Sequence, residues 1–342
     1  MRTGLFAVEA IDDAVRQPIE VLVPGQHALR KTNAPTGLGQ GVSVLILTKN
    51  EEKNIAACLA SLGFADEIVI VDSESTDRTV EIAQRDPRVR VVSRAFDTEY
   101  KQRNFGLHEV EWKNAWVYVC DADERVPGDL GDELMRIAAQ PITEETPAAY
   151  RMRFRNMFRG KWIRHCAGAD VWILRFVRPS LVRYEKRETN VHPIVSGPTA
   201  ELQGRFDHFS FNSGLVRWFK KHNYYSDRES AEAVNVTAKG RPPMSALADK
   251  DPIVRRRALK NFSFFLPARW AWRFTYDFVA KRGFLDGLAG LHYCAMISTY
   301  EYWIELKMKE RRQNWHDRNE CMVATLLEGD YGPVPMMAAN AA

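Results

Sequence analysis

Two aspartates separated by one residue follow an apolar stretch and are the sharpest chemical feature of the sequence. Residues 121–124 read Asp-Ala-Asp-Glu and come directly after the apolar residues 116–120. Carboxylates at the end of a buried strand are costly unless they bind something. One aspartate of such a pair can hold a ribose while the other ligates Mg²⁺ or Mn²⁺ on a diphosphate, since these ions prefer hard oxygen ligands. The alternative is a solvated turn in which Asp121 or Asp123 caps the next helix.

Polar clusters also follow two earlier apolar stretches. Residues 48–51 read Thr-Lys-Asn-Glu after 42–47, and residues 72–77 read Asp-Ser-Glu-Ser-Thr-Asp after 67–71. Single members such as Ser75 or Asp77 are well suited to cap a helix. Three strand ends that all carry such clusters are better explained by a shared binding site than by caps alone.

The elements that must position these residues alternate between strand and helix. The segments 42–47, 67–71, 89–92 and 115–120 are apolar and β-branched, which predicts strands buried on both faces. Three helical stretches separate these strands. The first ends near Leu62, the second covers 79–84 and the third covers 100–110. This alternation predicts an α/β fold with a doubly wound, mostly parallel sheet. Ligands of such sheets bind beyond the carboxyl ends of the strands.

Composition narrows the class of protein. The 342 residues are 45% hydrophobic and 27% charged, with a formal net charge of only +4. This is the balance of a globular chain rather than a disordered one. The five cysteines are scattered and odd in number, which argues against a disulfide framework or a structural zinc site and favours a reducing cytosolic setting. We expect neither a secretory signal nor a membrane-spanning helix.

The pattern predicts four regions along the chain. Residues 1–40 form a leader or irregular segment. Residues 41–212 form the catalytic domain, with a nucleotide-binding half at 41–125 and an acceptor half at 126–212. Residues 213–312 are helical, and 313–342 form a tail. Within the acceptor half, the segment 149–210 consists of short strand-like stretches dense in arginine and aromatic residues.

The ordered motifs resemble a known family. The first predicted strand is followed by Thr-Lys-Asn-Glu-Glu, and the second ends in Val-Asp-Ser-x-Ser-Thr-Asp. The motif Lys-Gln-Arg-Asn lies in the third helical stretch, and Asp-Ala-Asp-Glu follows the fourth strand. This order resembles the inverting family 2 glycosyltransferases of the GT-A (Rossmann-like) fold, over roughly residues 42–210. The branch it resembles most is that of the lipopolysaccharide-core and exopolysaccharide glucosyltransferases, partly through residues 281–287. The resemblance implies a hexosyltransferase that uses a nucleotide-sugar donor and Mg²⁺ or Mn²⁺.

The resemblance also implies roles for individual residues. Thr48, Lys49 and Glu51 would lie against the nucleotide, and Asp72 would accept a hydrogen bond from the base. Asp121 would hold the ribose. The metal on the diphosphate would be ligated by Asp123, and further donor-binding side chains would be Lys101, Arg103 and Asn104. For Lys101 and Arg103 the alternative is the solvated start of a helix.

The general base for inverting transfer is less clearly marked. Residues 188–193 read Glu-Thr-Asn-Val-His-Pro, where relatives have an acidic residue followed by Val-His-Glu. Glu188 is the first candidate for the base, and His192 is a candidate metal ligand or diphosphate contact. Pro193 replaces an expected carboxylate, so Asp170 and Glu201 stay open as candidates. A structural hydrogen-bonding role for His192 is the alternative.

The helical region suggests an acceptor held in a membrane. Residues 253–312 are rich in arginine, lysine and aromatic residues, and the uncharged stretch 287–300 is too short to span a bilayer. This combination is typical of helices that lie in the interface of an anionic membrane. A helical subdomain with a solvated basic surface is the alternative. A nucleic-acid partner is not expected, because no nucleic-acid-binding motif accompanies the charge.

Taken together, the sequence predicts transfer of glucose or another hexose, from a UDP-sugar by default, to a lipid-linked or envelope glycan in lipopolysaccharide or exopolysaccharide synthesis. Such a protein would be cytoplasmic and peripheral on the inner face of the cytoplasmic membrane. A polyprenyl-phosphate sugar transferase is the nearest alternative. A nucleotidyltransferase is disfavoured, because the first strand end has no glycine-rich basic turn. A non-catalytic membrane-associated protein that keeps the fold is the alternative from another class.

Overall fold

The computed structural model describes residues 38–167, 171–186, 191–249, 252–313 and 315. These residues fall into two compact units. The first contains the described residues up to Phe219 together with Thr275–Ala295. The second contains Lys220–Phe274 and the helical residues from Met296 onward. The first unit contains the sheet and all of the predicted strand-end residues that the structure describes.

The strands and helices of the first unit alternate through its first half, as predicted. Its strands are β1 (Gly39–Thr48), β2 (Glu67–Asp72), β3 (Val89–Ser93), β4 (Asn114–Asp121), β5 (Glu124–Arg125), β6 (Ala149–Phe158), β7 (Lys161–Ile163), β8 (Trp172–Val177), β9 (Val182–Tyr184), β10 (Pro193–Val195) and β11 (Thr199–His208). Its helices are α1 (Ile55–Ser61), α2 (Thr79–Ala83), α3 (Glu99–His108) and α4 (Gly128–Ala138). A short 3-10 turn covers Pro179–Leu181.

Nine of the described strands form one mixed sheet in the order β3-β2-β1-β4-β8-β6-β11-β5, with β7 paired to β6. Strands β1 to β4 are mutually parallel. Strand β8 runs antiparallel to both β4 and β6, and β11 is parallel to β6. The carboxyl ends of β1, β2, β3, β4, β6 and β11 therefore all lie at one edge of the sheet. The predicted parallel sheet of an α/β fold is confirmed, with an antiparallel strand inserted at its centre.

The central strands are buried on both faces because their side chains alternate between two apolar layers. Val44 and Ile46 of β1 pack in one layer, and Leu45 packs in the other. Helices α1 and α4 contribute to the first layer, and α3 contributes Leu107 to the second. Helix α3 lies close to the sheet at Gly106, where an added Cβ would come 2.7 Å from Leu45 Cδ2. This close approach brings the residues at the start of α3 near the strand ends.

The second unit is helical, and helices return where the sequence predicts them. Helices α5 (Leu215–Ala238), α6 (Met244–Leu247), α7 (Pro252–Ser263), α8 (Arg269–Thr275) and α9 (Gly287–Gln313) follow the sheet. Within this unit the buried guanidinium of Arg269 lies 2.6 Å from the carboxylate of Glu301. Among the described residues, every helix is too short or too polar to cross a bilayer.

Candidate functional site

Asp121 ends strand β4 at the edge where the parallel strands meet, and two arginines hold its carboxylate. Arg175 Nη2 on β8 donates to Asp121 Oδ2 at 2.6 Å. Arg103 Nη2 on α3 lies 3.5 Å from Asp121 Oδ1, and Arg103 Nε donates to Glu99 at 3.1 Å. Arg103 also stacks over the ring of Tyr184, 5.3 Å from its centroid. The predicted side chains of Asp121 and Arg103 are thus together, while Arg175 comes from a strand that the motifs do not include.

The charges of this cluster set its protonation. Burial opposes ionisation of Asp121, but Arg175 and Arg103 outweigh it and hold the pKa of this carboxyl well below its usual range. Burial raises the pKa of the neighbouring Glu124 to about 7, although Arg175 opposes this effect. Arg175 also donates to Glu124, and Glu124 Oε2 accepts the backbone N–H of Asp121 at 3.1 Å. At neutral pH, Asp121 therefore stays ionised while Glu124 is close to its titration midpoint.

Asp123, the second aspartate of the motif, faces a histidine from the last strand of the sheet. His208 Nε2 lies 3.5 Å from Asp123 Oδ2, and the carbonyl of Asp123 accepts the backbone N–H of Phe209 at 2.8 Å. Burial lowers the pKa of His208, but the charge of Asp123 outweighs it, so this pKa is raised. The sequence analysis missed His208. Its only signal was a histidine at the end of one of the predicted strand-like segments.

The donor set at Asp123 and His208 suits a divalent cation in chemical type. A carboxylate oxygen and an imidazole nitrogen are both ligands of Mn²⁺, and the carboxylate also suits Mg²⁺. Within the part of the chain that the structure describes, no group of three or more acidic, histidine or cysteine side chains is arranged as a metal site. The described residues alone therefore supply an incomplete ligand set, as expected where substrate phosphates contribute ligands.

The first two strand ends are joined by short hydrogen bonds. Thr48 Oγ1 donates to Asp72 Oδ1 at 2.7 Å. The backbone N–H of Ser75 donates to Asp72 Oδ2 at 2.8 Å, and Ser75 Oγ donates to Asp72 Oδ1 at 2.6 Å. Asn50 has a left-handed backbone with φ of 55° and accepts the N–H of Thr76 through Oδ1 at 2.8 Å. These bonds hold the two loops together and fix the carboxylate of Asp72 at the edge.

Glu51 and Lys49 extend this edge. Glu51 is paired with Arg217 at 2.6 Å and accepts from Asn54 Nδ2 at 2.8 Å. Burial raises the pKa of Glu51 despite these partners, and the charge of Asp123 adds to the increase. Lys49 Nζ donates to the carbonyl of Ser73 at 2.8 Å. Arg217 is a further partner that the sequence analysis did not identify, because it follows the sheet and lies outside the motifs.

The three predicted residues of α3 differ in their surroundings. Arg103 faces Asp121, as described above. Lys101 is half-exposed and pairs with Asp97 at 3.1 Å, which agrees with the solvated helix start considered for it. Asn104 donates to the carbonyl of Tyr184 at 2.9 Å and accepts the Tyr184 N–H at 2.7 Å. Its amide therefore anchors β9 to α3, and its role toward a donor stays a prediction.

The candidates for the general base are only partly described. Glu188 and Asp170 lie outside the described residues, so their predicted roles are open. His192 precedes β10, and its carbonyl accepts the N–H of Glu185 at 3.0 Å. Glu201 lies on β11 with its side chain 43% exposed and 2.8 Å from Arg151. Glu201 as the general base therefore stays a prediction.

Similarity to known proteins agrees with this geometry. Residues 43–187 match the family described as Glycosyl transferase family 2. An uncharacterized glycosyltransferase of Rickettsia typhi is 36% identical over 259 residues, which span 73% of this chain and 80% of that protein. The lipopolysaccharide core biosynthesis glycosyltransferase LpsC of Rhizobium meliloti is 32% identical over 102 residues, 29% of this chain and 37% of LpsC.

A crystal structure of residues 1–349 of S. aureus TarS aligns with 80% of this chain and 92% of its own, at 16% identity and a TM-score of 0.38. That value is too low for any inference about function. The family match and the Rickettsia relative, together with a parallel sheet edge that carries the expected acidic motif, lead to one conclusion: this chain belongs to family 2 of the glycosyltransferases.

Proposed function

We propose that this transferase moves glucose or another hexose from a UDP-sugar to a lipid-linked or envelope glycan, with inversion at the anomeric carbon and the help of a divalent metal ion. In that reaction the acceptor hydroxyl loses its proton to a base, and its oxygen forms a bond to the anomeric carbon. The bond from that carbon to the nucleoside diphosphate breaks, and the diphosphate takes the electron pair. The pathway would be lipopolysaccharide or exopolysaccharide synthesis.

One observation supports this proposal above the others, namely the contrast between the two aspartates at the end of β4. Asp121 is kept ionised between Arg175 and Arg103 and can accept hydrogen bonds from ribose hydroxyls. Asp123 faces His208, whose Nε2 lies 3.5 Å from Asp123 Oδ2. The two carboxylates are therefore suited to two roles, ribose binding and metal binding.

Asp123 and His208 are the residues that would hold the metal ion. When bound, the ion would neutralise charge on the leaving nucleoside diphosphate. A nitrogen ligand favours Mn²⁺ over Mg²⁺, since Mg²⁺ prefers oxygen ligands. Arg103, which lies beside Asp121, is placed to bind phosphate oxygens, and its buried Nη1 has no hydrogen-bond partner among the described residues.

The other donor contacts follow from the first two strand ends. Asp72, fixed by Thr48 and Ser75, would accept the N–H of the base, which makes uracil the default. Glu51 and Lys49 would border the nucleotide, and Lys101 and Asn104 would act from α3. Glu188 is proposed as the general base, and His192, four residues later in the sequence, as a contact of the diphosphate or the metal. Glu188→Gln should abolish turnover while donor binding remains, and normal turnover would contradict this assignment.

An acceptor in a membrane would fit the exposed aromatic residues of the helical region. Trp270 and Trp272 are 41% and 50% exposed, and Trp270 packs edge-on against the half-exposed Tyr302. Aromatic side chains of this kind are suited to the interface between water and lipid. The resemblance to LpsC supports a glycolipid acceptor at the inner face of the cytoplasmic membrane. A polyprenyl phosphate is the alternative acceptor.

The test is thermal unfolding of the full chain with UDP, GDP or dTDP, each with and without Mn²⁺. A ligand at about 100 times its Kd adds about 2.7 kcal/mol to the free energy of unfolding, so binding raises the midpoint. We expect a Mn²⁺-dependent increase with UDP in the wild type, and its loss in Asp123→Ala and His208→Ala. Asp132→Ala is the control, because Asp132 is an exposed acid on α4 away from the strand ends.

The possible outcomes distinguish the nucleotide base, the metal ligand and the presence of donor binding. An increase with GDP or dTDP in place of UDP would correct the base and leave the transferase proposal intact. An equal increase in wild type and Asp123→Ala would remove Asp123 from the metal site. No increase with any nucleotide would contradict donor binding and favour a protein that keeps the fold without the activity.

A further inference from the structure

One face of the sheet in the acceptor half has arginine and tryptophan side chains where the nucleotide-binding half has an apolar layer. On β6 the side chains alternate, so that Met152 and Phe154 pack in the core while Arg151, Arg153 and Arg155 lie on the opposite face. The neighbouring strands add tryptophans and a further arginine to this opposite face. We call it the arginine–tryptophan face and define it by Arg151, Arg153, Trp162, Arg164, Trp172 and Arg205.

These side chains form two groups of cation–π contacts on the same face. Arg153 and Arg151 lie over the ring of Trp172, 4.8 and 5.9 Å from its centroid. Arg164 and Arg205 lie over Trp162 at 4.8 and 5.7 Å. The strand register connects the two groups, since Arg205 of β11 is the direct neighbour of Arg153 on β6. A guanidinium that rests on an aromatic ring keeps the N–H groups at its edge available for an acceptor.

Three N–H donors of this face are buried without a hydrogen-bond partner among the described residues. They are Arg151 Nε, Arg153 Nε and Trp162 Nε1. A buried donor left unpaired costs about 1 to 3 kcal/mol. All three groups can only donate, so the ligand that would satisfy them must be rich in acceptors.

The charge of the face points to an anion. Two described acidic residues beside the face are each paired, Glu201 with Arg151 at 2.8 Å and Asp207 with Arg155. Within the described ranges no carboxylate pairs with Arg153 or with the side chain of Arg164, so these two guanidinium groups contribute positive charge to the face. Arg153 is half-buried between its neighbours, which would strengthen its interaction with an anion compared with a fully exposed arginine.

The face lies within the proposed active site rather than beside it. Strands β8 and β6 stand between β4, which ends in Asp121, and β11, which ends in His208. Trp172 begins β8 and is the register partner of Arg153, so both lie toward the edge where β4 and β11 end. A group bound here would be part of a molecule that reaches the strand ends from the acceptor half.

We propose that the arginine–tryptophan face binds an acidic group of the acceptor, a phosphate or a carboxylate, and so selects an anionic acceptor. The identity of the bound molecule as the acceptor rests on the proposed transferase function, whereas the binding of an anion at this face does not. Arg153 is the central residue, because it stacks on Trp172, adjoins Arg205 and has an unpaired Nε.

The experiment is calorimetric titration of the full-length protein with inorganic phosphate, and separately with acetate, in the presence of saturating UDP and Mg²⁺. UDP fills the proposed diphosphate site, so phosphate that still binds must bind elsewhere. We expect Arg153→Gln to weaken phosphate binding about tenfold, the loss of one charge-assisted bidentate contact. Arg136→Gln is the matched control, because Arg136 is an exposed arginine on α4 and its loss changes the net charge equally.

The proposal is overturned if UDP abolishes phosphate binding, or if Arg153→Gln and Arg136→Gln have the same Kd. If Arg153→Gln does not unfold cooperatively, Arg153→Lys replaces it, with a loss of about fivefold expected because an ammonium cannot make two parallel bonds; an unchanged Kd in that variant overturns the proposal. Loss with phosphate alone indicates a phosphorylated acceptor, and equal losses with both anions indicate an acidic sugar.

Failure of the transferase proposal can be recognised separately. If UDP does not bind the wild type, the phosphate titration is repeated without nucleotide. The Arg153→Gln comparison then decides the anion site alone.

Discussion

The ends of β1 and β2 and the arginine–tryptophan face satisfy their polar groups in opposite ways. At the ends of β1 and β2, Asp72 accepts from Thr48 and from the N–H and hydroxyl of Ser75, so the chain itself supplies the partners. On the arginine–tryptophan face, donors of Arg151 and Arg153 are buried with no described partner. Both regions belong to one sheet, and both lie toward one edge.

This contrast indicates which region needs a ligand. A region whose polar groups bond one another is preorganised and keeps its shape without a ligand. A region with several unpaired donors is stabilised when an acceptor arrives, so it responds to binding. We infer that the loops after β1 and β2 are the rigid part of the site and that the arginine–tryptophan face gains more from occupancy.

The largest expected effect comes from breaking the buried charge cluster that joins the halves. Arg175→Met leaves the buried Glu124 and the half-buried Asp121 without their shared partner, which should lower the free energy of unfolding by about 3 to 5 kcal/mol. Urea unfolding measures this. The double variant Arg175→Met/Glu124→Leu should recover part of the lost free energy of unfolding. A loss below about 1 kcal/mol in Arg175→Met alone would show that the cluster does not stabilise the fold.

The next effect is a dependence of stability on pH. Burial raises the pKa of Glu124 from 4.5 to about 7, so its folded state prefers the protonated form. Its contribution to stability is complete below pH 4.5 and is lost as the pH rises through 7, which amounts to about 3 kcal/mol. Urea unfolding between pH 5 and pH 8 should therefore show a falling free energy in the wild type, and Glu124→Gln should reduce the slope. Equal slopes in the two proteins would contradict the assignment.

A smaller effect tests the preorganised half. Thr48→Val removes the 2.7 Å hydrogen bond to the buried carboxylate of Asp72, and we expect a loss of about 1.5 to 2 kcal/mol in the free energy of unfolding. UDP binding should weaken as well, because Asp72 loses one of the bonds that orient it. Ser61→Ala is the control, since the hydroxyl of Ser61 bonds only to the backbone, away from the strand ends of β1 and β2. Unchanged UDP affinity in Thr48→Val would separate Asp72 from the nucleotide.

The smallest effect on stability comes from the arginine–tryptophan face itself. Arg151 and Glu201 are each 43% exposed, so Arg151→Gln should change the free energy of unfolding by less than about 1 kcal/mol. The same variant should weaken phosphate binding measurably, because it removes positive charge from the face. A large loss of stability would show that this face is structural rather than reserved for a ligand.

The sequence predicted the first half of the fold well for a physical reason. Strands β1, β2 and β4 are continuous apolar stretches that can only be buried on both faces, and the observed strands extend the predicted ones by a residue or a few. Among the later strands, β6 alternates arginine with apolar residues, and β5, β7, β9 and β10 have only two or three residues each, so their pairing depended on partners far along the chain. The position of β8 between β4 and β6 could not be predicted from the residues of β8 alone.

The candidate site was predicted in part. The motifs placed Asp121, Asp123 and Asp72 at the strand ends, where the structure has them. They did not identify Arg175, His208 or Arg217, because all three lie outside the motif segments. These residues reach Asp121, Asp123 and Glu51 only once the chain has folded. The partners of Lys101 and Asn104 could also not be predicted from the sequence, because two residues of one helix can face different neighbours.

Buried strands and strand-end carboxylates leave local patterns in short stretches of sequence, and these patterns sufficed to predict the first strands, the acidic motif and the family. Which charges meet was set by the tertiary structure. It placed Arg175 between Asp121 and Glu124, set His208 opposite Asp123, and aligned Arg153 with Trp172 on one face. Electrostatic interactions depend on distance in space rather than along the chain, so the partners of a charge, and with them its pKa and its chemistry, appear only once the sheet is assembled.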